Sequence, residues 1–119
     1  HYHELCEKNK VFPKRILLSF APVSSQENIN FLKWLGVEIP SETERRLKQN
    51  EQNMPDESLE IASEILKDIL NNNEKLGIKV PIGLNVEHIM SYNFQTSINM
   101  LQELSKVYRK FCIKTSLYD

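Results

Sequence analysis

Glycine is scarce in this chain, with 3 in 119 residues. That excludes a Gly-rich loop cradling a phosphate on its backbone amides, because such loops need several glycines close together. Cysteine is scarcer still. Cys6 and Cys112 stand far apart with no metal-ligand spacing, so they read as free thiols in a reducing, cytoplasmic setting and not as a disulfide. An excess of one charge is also missing. The 15 basic and 16 acidic residues leave a formal net charge of -1, which gives neither nucleic acid nor a membrane surface an electrostatic reason to bind. No apolar run is long enough to span a bilayer, and no nucleophile elbow or zinc spacing occurs.

What is present is the ordinary mixture of one globular domain, 40% hydrophobic and 26% charged. The chain is organised around residues 15–25, an apolar run from Ile16 to Ala21 that ends in Pro22-Val23-Ser24-Ser25. This reads as a parallel strand opening into a helix. The near-continuous run predicts cover on both faces. A second such strand is expected from about Val80 to Val86. Before the first strand, residues 2–9 read as the last turns of a helix, closed by Asn9-Lys10 and stopped at Phe12-Pro13.

Between the strands the pattern is helical. Ser24-Ser25-Gln26-Glu27 is a capping box, with Gly36 expected just past the end of the helix it opens. Trp34 on that helix reads as a packed core or interface residue. Ser41-Glu42-Thr43-Glu44 starts a short charged helix to about Gln49. Pro55, Asp56 and Glu57 then open the strongest helix, in which Leu59, Ala62, Ile65, Leu66, Ile69, Leu70 and Leu76 repeat at helical spacing before Gly77. A last helix carries Phe94, Ile98, Leu101, Leu104, Tyr108 and Phe111 in register.

The expected fold class is α/β, two parallel strands with covering helices. Two strands cannot complete a buried parallel sheet, since each would be an edge. The rest of the sheet must come from elsewhere, either the remainder of a barrel or another copy of the chain. The chain also opens His1-Tyr2-His3 as though in mid-helix. The expectation is a single incomplete domain over residues 1–119, the C-terminal portion of a (β/α)8 TIM barrel.

The residues that carry a family likeness are Ile16-Leu17-Leu18, Pro22-Val23-Ser24, the helix with Phe31-Leu32, Gly36-Val37-Glu38-Ile39-Pro40 and Leu84-Asn85. In this order and spacing they resemble the C-terminal part of methylenetetrahydrofolate reductase. The resemblance implies the seventh and eighth strands of a flavin-dependent barrel. Such a barrel passes a hydride from NAD(P)H through FAD to a folate substrate, methylenetetrahydrofolate. It implies that Phe31 or Leu32 packs on the folate. The family's acidic proton donor and most of its FAD contacts lie on strands absent from this chain, so isolated activity is not expected.

Residues after barrel strands line the active-site face. That singles out Pro22, Ser24 and Ser25 after the first strand, and Asn85, Glu87 and His88 after the second. For the serines the alternative is helix capping. Asn85 and Glu87 either bind a ligand or satisfy backbone at the barrel mouth. His88 reads as a solvated loop residue, and His1-x-His3 with Glu4 has metal-binding atoms at a terminus. Two other classes compete: a barrel relative without this chemistry, and a non-enzymatic helical module that binds a partner through the Leu59–Leu76 stripe.

Overall fold

The computed structural model describes residues 1–76, 79–87 and 94–116, the last four without side-chain detail. It is α/β. Helix α1 (Tyr2–Asn9) leads into strand β1 (Ile16–Phe20), followed by α2 (Gln26–Trp34) and α3 (Ser41–Gln49). A 3-10 turn (Glu51–Asn53) then enters the long α4 (Met54–Glu74), before β2 (Ile82–Val86) and α5 (Phe94–Ser116). The strands pair in parallel, Ile16 opposite Ile82 through Phe20 opposite Val86. Gly77, at the expected end of the long helix, and His88 lie outside the described residues.

Helix ends follow their local chemistry. Lys10, at φ 55, closes α1, with Lys10 N–H donating to Glu7 O and Val11 N–H to Cys6 O. Gly36, at φ 95, closes α2 in the same paired-bond way, and a side chain there would be strained by that φ. The start of α2 departs from the expected box by one residue. Ser25 is the N-cap, its Oγ accepting from Asn28 N–H at 3.3 Å, while the buried Asn28 Oδ1 accepts from Ser24 N–H and Ser24 Oγ–H. At α3 the position before the first helical residue is Pro40, which has no side-chain oxygen, so the second expected box is not made. At the far end of α4, Asn73 clamps the chain on its way to β2. Its amide donates to Val80 O at 2.8 Å and accepts from Val80 N–H at 2.9 Å.

Two apolar clusters hold these elements together. Val23, Ile29, Leu32, Leu47, Met54 and Ile61 join α2, α3 and the start of α4. Ala62, Leu66 and Leu70 of α4 meet Met100 and Leu104 of α5, and Leu18, Phe20, Ile82, Leu84 and Val86 pack on them from the sheet. Ala62, Leu66 and Leu70 of the α4 stripe are thus buried inside the chain, with Leu59 packed against them. Ile65 of the same stripe stays 44% exposed.

Within this chain the sheet is covered on one face. Side chains alternate across a strand, and only one set is covered. Leu18, Phe20, Leu84 and Val86 face the helices, whereas Leu17, Ser19 and Asn85 lie on a bare face, with Leu17 63% exposed. Among the described residues α4 and α5 pack on the face of Leu18, Phe20, Leu84 and Val86; cover for the other face would have to come from outside this chain. Of the two expectations for Trp34, the structure excludes the core. The residue is 78% exposed and stacks on Phe31, with ring centroids 5.8 Å apart.

A candidate binding cavity at the C-terminal ends of the strands

In a parallel ladder each strand directs its backbone groups to its neighbours at alternate residues. Ile16 N–H donates to Pro81 O at 2.9 Å, and Phe20 O accepts from Glu87 N–H at 2.8 Å. Ile16, Leu18 and Phe20 therefore turn their backbone towards β2, and Leu17 and Ser19 turn theirs to the open edge of β1. On the far side of β2, the Tyr108 hydroxyl donates to Ile82 O at 2.6 Å and so covers one edge carbonyl.

Between the C-terminal end of β1 and helices α2, α3 and α4 lies a cavity of about 480 Å³, with Phe20, Ala62 and Ile65 also in its lining. That is within the range of small-molecule sites. Ser19 and Ala21 of the β1 end and Glu87 past β2 form one wall. Leu35, Val37 and Ile39, leaving α2, form another, while Leu47 of α3 and Ser58 and Ile61 of α4 contribute to the rest. Most of the lining is carbon. Ser58 is already engaged, its Oγ accepting from Val23 N–H at 2.9 Å, and this bond holds the turn after β1 against α4.

The expected site residues distribute unequally. Glu87 and Leu32 both line the cavity, Glu87 exposed and Leu32 buried as part of its apolar wall. Asn85 sits opposite Ser19, and its Nδ2 donates to Ser19 Oγ at 3.2 Å, joining the cavity's serine to the bare sheet face. Phe31 stands apart in its stack with Trp34 and is not among the lining residues. Pro22 is buried, and Ser24 and Ser25 are occupied at the start of α2. Ser19 and Ser58 escaped the sequence reading. Each is a lone hydroxyl inside an otherwise apolar pattern, which is the signal that marks them.

The charges of α3 are paired with its neighbours and do not line the cavity. Arg46 bonds Glu57, and it grips Glu64 in a two-pronged pair at 2.7 and 2.9 Å. Hydrogen bonding to Glu64, then Glu57, holds the guanidinium more basic than usual, and the same contact holds the Glu64 carboxyl below its ordinary range. Glu44 is lowered likewise, first by Lys33 and then by Lys48, at 2.6 and 3.2 Å. Among the described residues no group of three His, Cys, Asp or Glu side chains could hold a metal ion, and no helix is long and apolar enough to cross a membrane.

No protein-family model matches the chain, and no curated protein sequence does. A solved structure does share its fold. It is an uncharacterized protein from Clostridium thermocellum that binds two copies of 5-methyl-5,6,7,8-tetrahydrofolic acid. The two superpose with a TM-score of 0.70 over 89% of this chain, at 20% sequence identity. This chain spans 37% of the length of that structure.

Proposed function

We propose that this chain is a folate-binding part of a (β/α)8 barrel, with the ligand in the cavity above the C-terminal ends of β1 and β2. One observation carries the reading: the α/β arrangement is shared over most of the chain with a protein that binds a methylated tetrahydrofolate. The cavity reaches Ser19 and Ala21 at the C-terminal end of β1 and Glu87 past β2, the end of the sheet at which parallel α/β folds hold their ligands, and Leu32 lines it too. The bare sheet face and the open edge of β1 fit a sheet continued by further strands.

Within this reading the narrower identity is a methylenetetrahydrofolate reductase-like oxidoreductase that uses FAD and NAD(P)H. The cavity does not suit the flavin cofactor. It is lined by apolar carbon together with Glu38 and Glu87, whose carboxylates would repel a pyrophosphate, and it has no lysine or arginine. FAD and the nicotinamide nucleotide would belong to strands outside this chain, so no hydride-transfer step is assigned to its residues. Copurification of flavin with the whole protein would favour the reductase over a barrel relative that binds folate without redox chemistry.

Titration of 5-methyltetrahydrofolate into the whole protein that contains this chain tests the reading. Saturable binding that falls at least tenfold when Ile39→Asp places a charge in the apolar wall is the expected result. Absence of saturable binding at millimolar ligand would overturn it.

A further inference from the structure

Two arginines of this chain lack the counter-ion that the others have. Arg45 lies beside Glu42, and Arg46 bonds Glu57 and Glu64. Arg15 and Arg109 have no ion pair or hydrogen bond among the described residues. Both line a second cavity, of about 390 Å³, with Leu17, Gly83, Leu101 and Ser105, and no acidic residue among the described ones lines it. It takes in the start of the strands, where Leu17 stands opposite Gly83, whereas the first cavity reaches the end of β1 at Ala21. The Arg15 side chain lies over Gly83. A Cβ there would be 3.6 Å from Arg15 Cδ and 3.8 Å from Arg15 Nη1, so the guanidinium reaches from the start of β1 across to β2. Ser105 and Arg109, four residues apart on α5, share one face of that helix.

Two guanidinium groups sharing one cavity without a counter-ion repel each other, and an anion relieves this. The charge of that anion matters. A carboxylate would neutralise one of the two cations. A phosphate monoester has a second pKa of about 6, so it carries nearly two negative charges at neutral pH and presents three acceptor oxygens. Arginine meets such oxygens with paired N–H donors, and an exposed arginine is long and rotatable enough to close on them from its resting place. Leu17 and Leu101 add exposed apolar surface, and the volume exceeds the need of a phosphoryl group alone. We propose that the second cavity binds a phosphate monoester, its phosphoryl group between Arg15 and Arg109 and its organic part on Leu17 and Leu101. The two cavities share no lining residue, so this site stands apart from the folate reading.

Strands outside this chain would share the same wall, so the test uses the whole protein that contains it. Phenyl phosphate, inorganic phosphate and benzoate are each titrated by calorimetry at low ionic strength. The titrations use the wild type and the double variant Arg15→Gln, Arg109→Gln. Both side chains are exposed, so the variant keeps its fold, which its thermal unfolding checks. Phenyl phosphate should bind saturably, at least tenfold tighter than inorganic phosphate or benzoate, and at least tenfold weaker in the double variant. Added salt should weaken it too, because solvent reaches both cations. Phenyl phosphate that fails to saturate, or that binds the double variant as well as the wild type, would overturn the proposal. So would inorganic phosphate binding as tightly as phenyl phosphate, the mark of a bare anion site, or benzoate doing so, which would show that a single negative charge suffices.

Discussion

Gly83 reports on what covers the sheet. A methyl group there would lie 2.5 Å from Leu17 Cδ2 and 3.6 Å from Arg15 Cδ, both far ends of flexible side chains. Leu17 is mostly exposed, so it can swing aside at little cost. Gly83→Ala also removes freedom from the unfolded chain, a gain of about 0.4–1 kcal/mol where the backbone suits alanine. Denaturant unfolding of the variant should therefore fall within about 1 kcal/mol of wild type. A loss of about 1–3 kcal/mol, the usual cost of overpacking, would mean that another layer holds Leu17 in place. The sequence shows that Leu17 is apolar. It does not show that Leu17 lacks a partner, because burial on the second face depends on strands that its local pattern does not contain. Trp34 is a similar case: its size favours burial, yet the turn at Gly36 ends α2 with the indole outside.

Among the elements, α3 is the one held mainly by charge. Leu47 is its sole buried residue, while Glu44 and Arg46 tie it to Lys33 of α2 and to Glu57 and Glu64 of α4. Glu44 and Glu64 have folded-state values below their unfolded ones. Their contribution is present above the unfolded carboxylate value of about 4.3 and is lost as pH falls through the lower folded values. Hydrogen exchange should show α3 losing protection below about pH 4 while α4 and α5 keep theirs. Arg46→Met should reproduce part of that loss at neutral pH. Uniform protection of α3 and α4 at both pH values would show that Leu47 alone suffices. These pairs are largely solvent-exposed, so salt should weaken them as well. The element order was legible from period and punctuation: apolar runs gave the strands, and the repeat from Leu59 to Leu70 gave α4. Cap positions were less so, since Ser24 and Ser25 offer the same hydroxyl one residue apart and only the Asn28 amide decides between them.

At the scale of the molecule, the chain is loosely gathered. Its radius of gyration is 16.0 Å, with extents of 45 × 30 × 24 Å. A compact globule of this length would have a radius of about 13–14 Å. The two-stranded sheet accords with this, because helices cover the face of Leu18, Phe20, Leu84 and Val86, while on the other face Leu17, Ser19 and Asn85 are exposed among the described residues. The candidate site was half visible in the sequence for the same reason. Glu87 and Asn85 followed from their place after a parallel strand, whereas the wall built by Ile39, Leu47 and Ser58 depends on how α3 and α4 dock.

If folate binds at the C-terminal ends of β1 and β2, as proposed, the backbone amide spectrum of the isotopically labelled protein will register it there. Adding 5-methyltetrahydrofolate should shift the amides of Ser19, Ala21, Val37, Ile39 and Glu87 and leave those of Arg15 and Arg109 in place. Shifts confined to the Arg15–Arg109 cavity, or a spectrum that saturating ligand does not change, would contradict that placement.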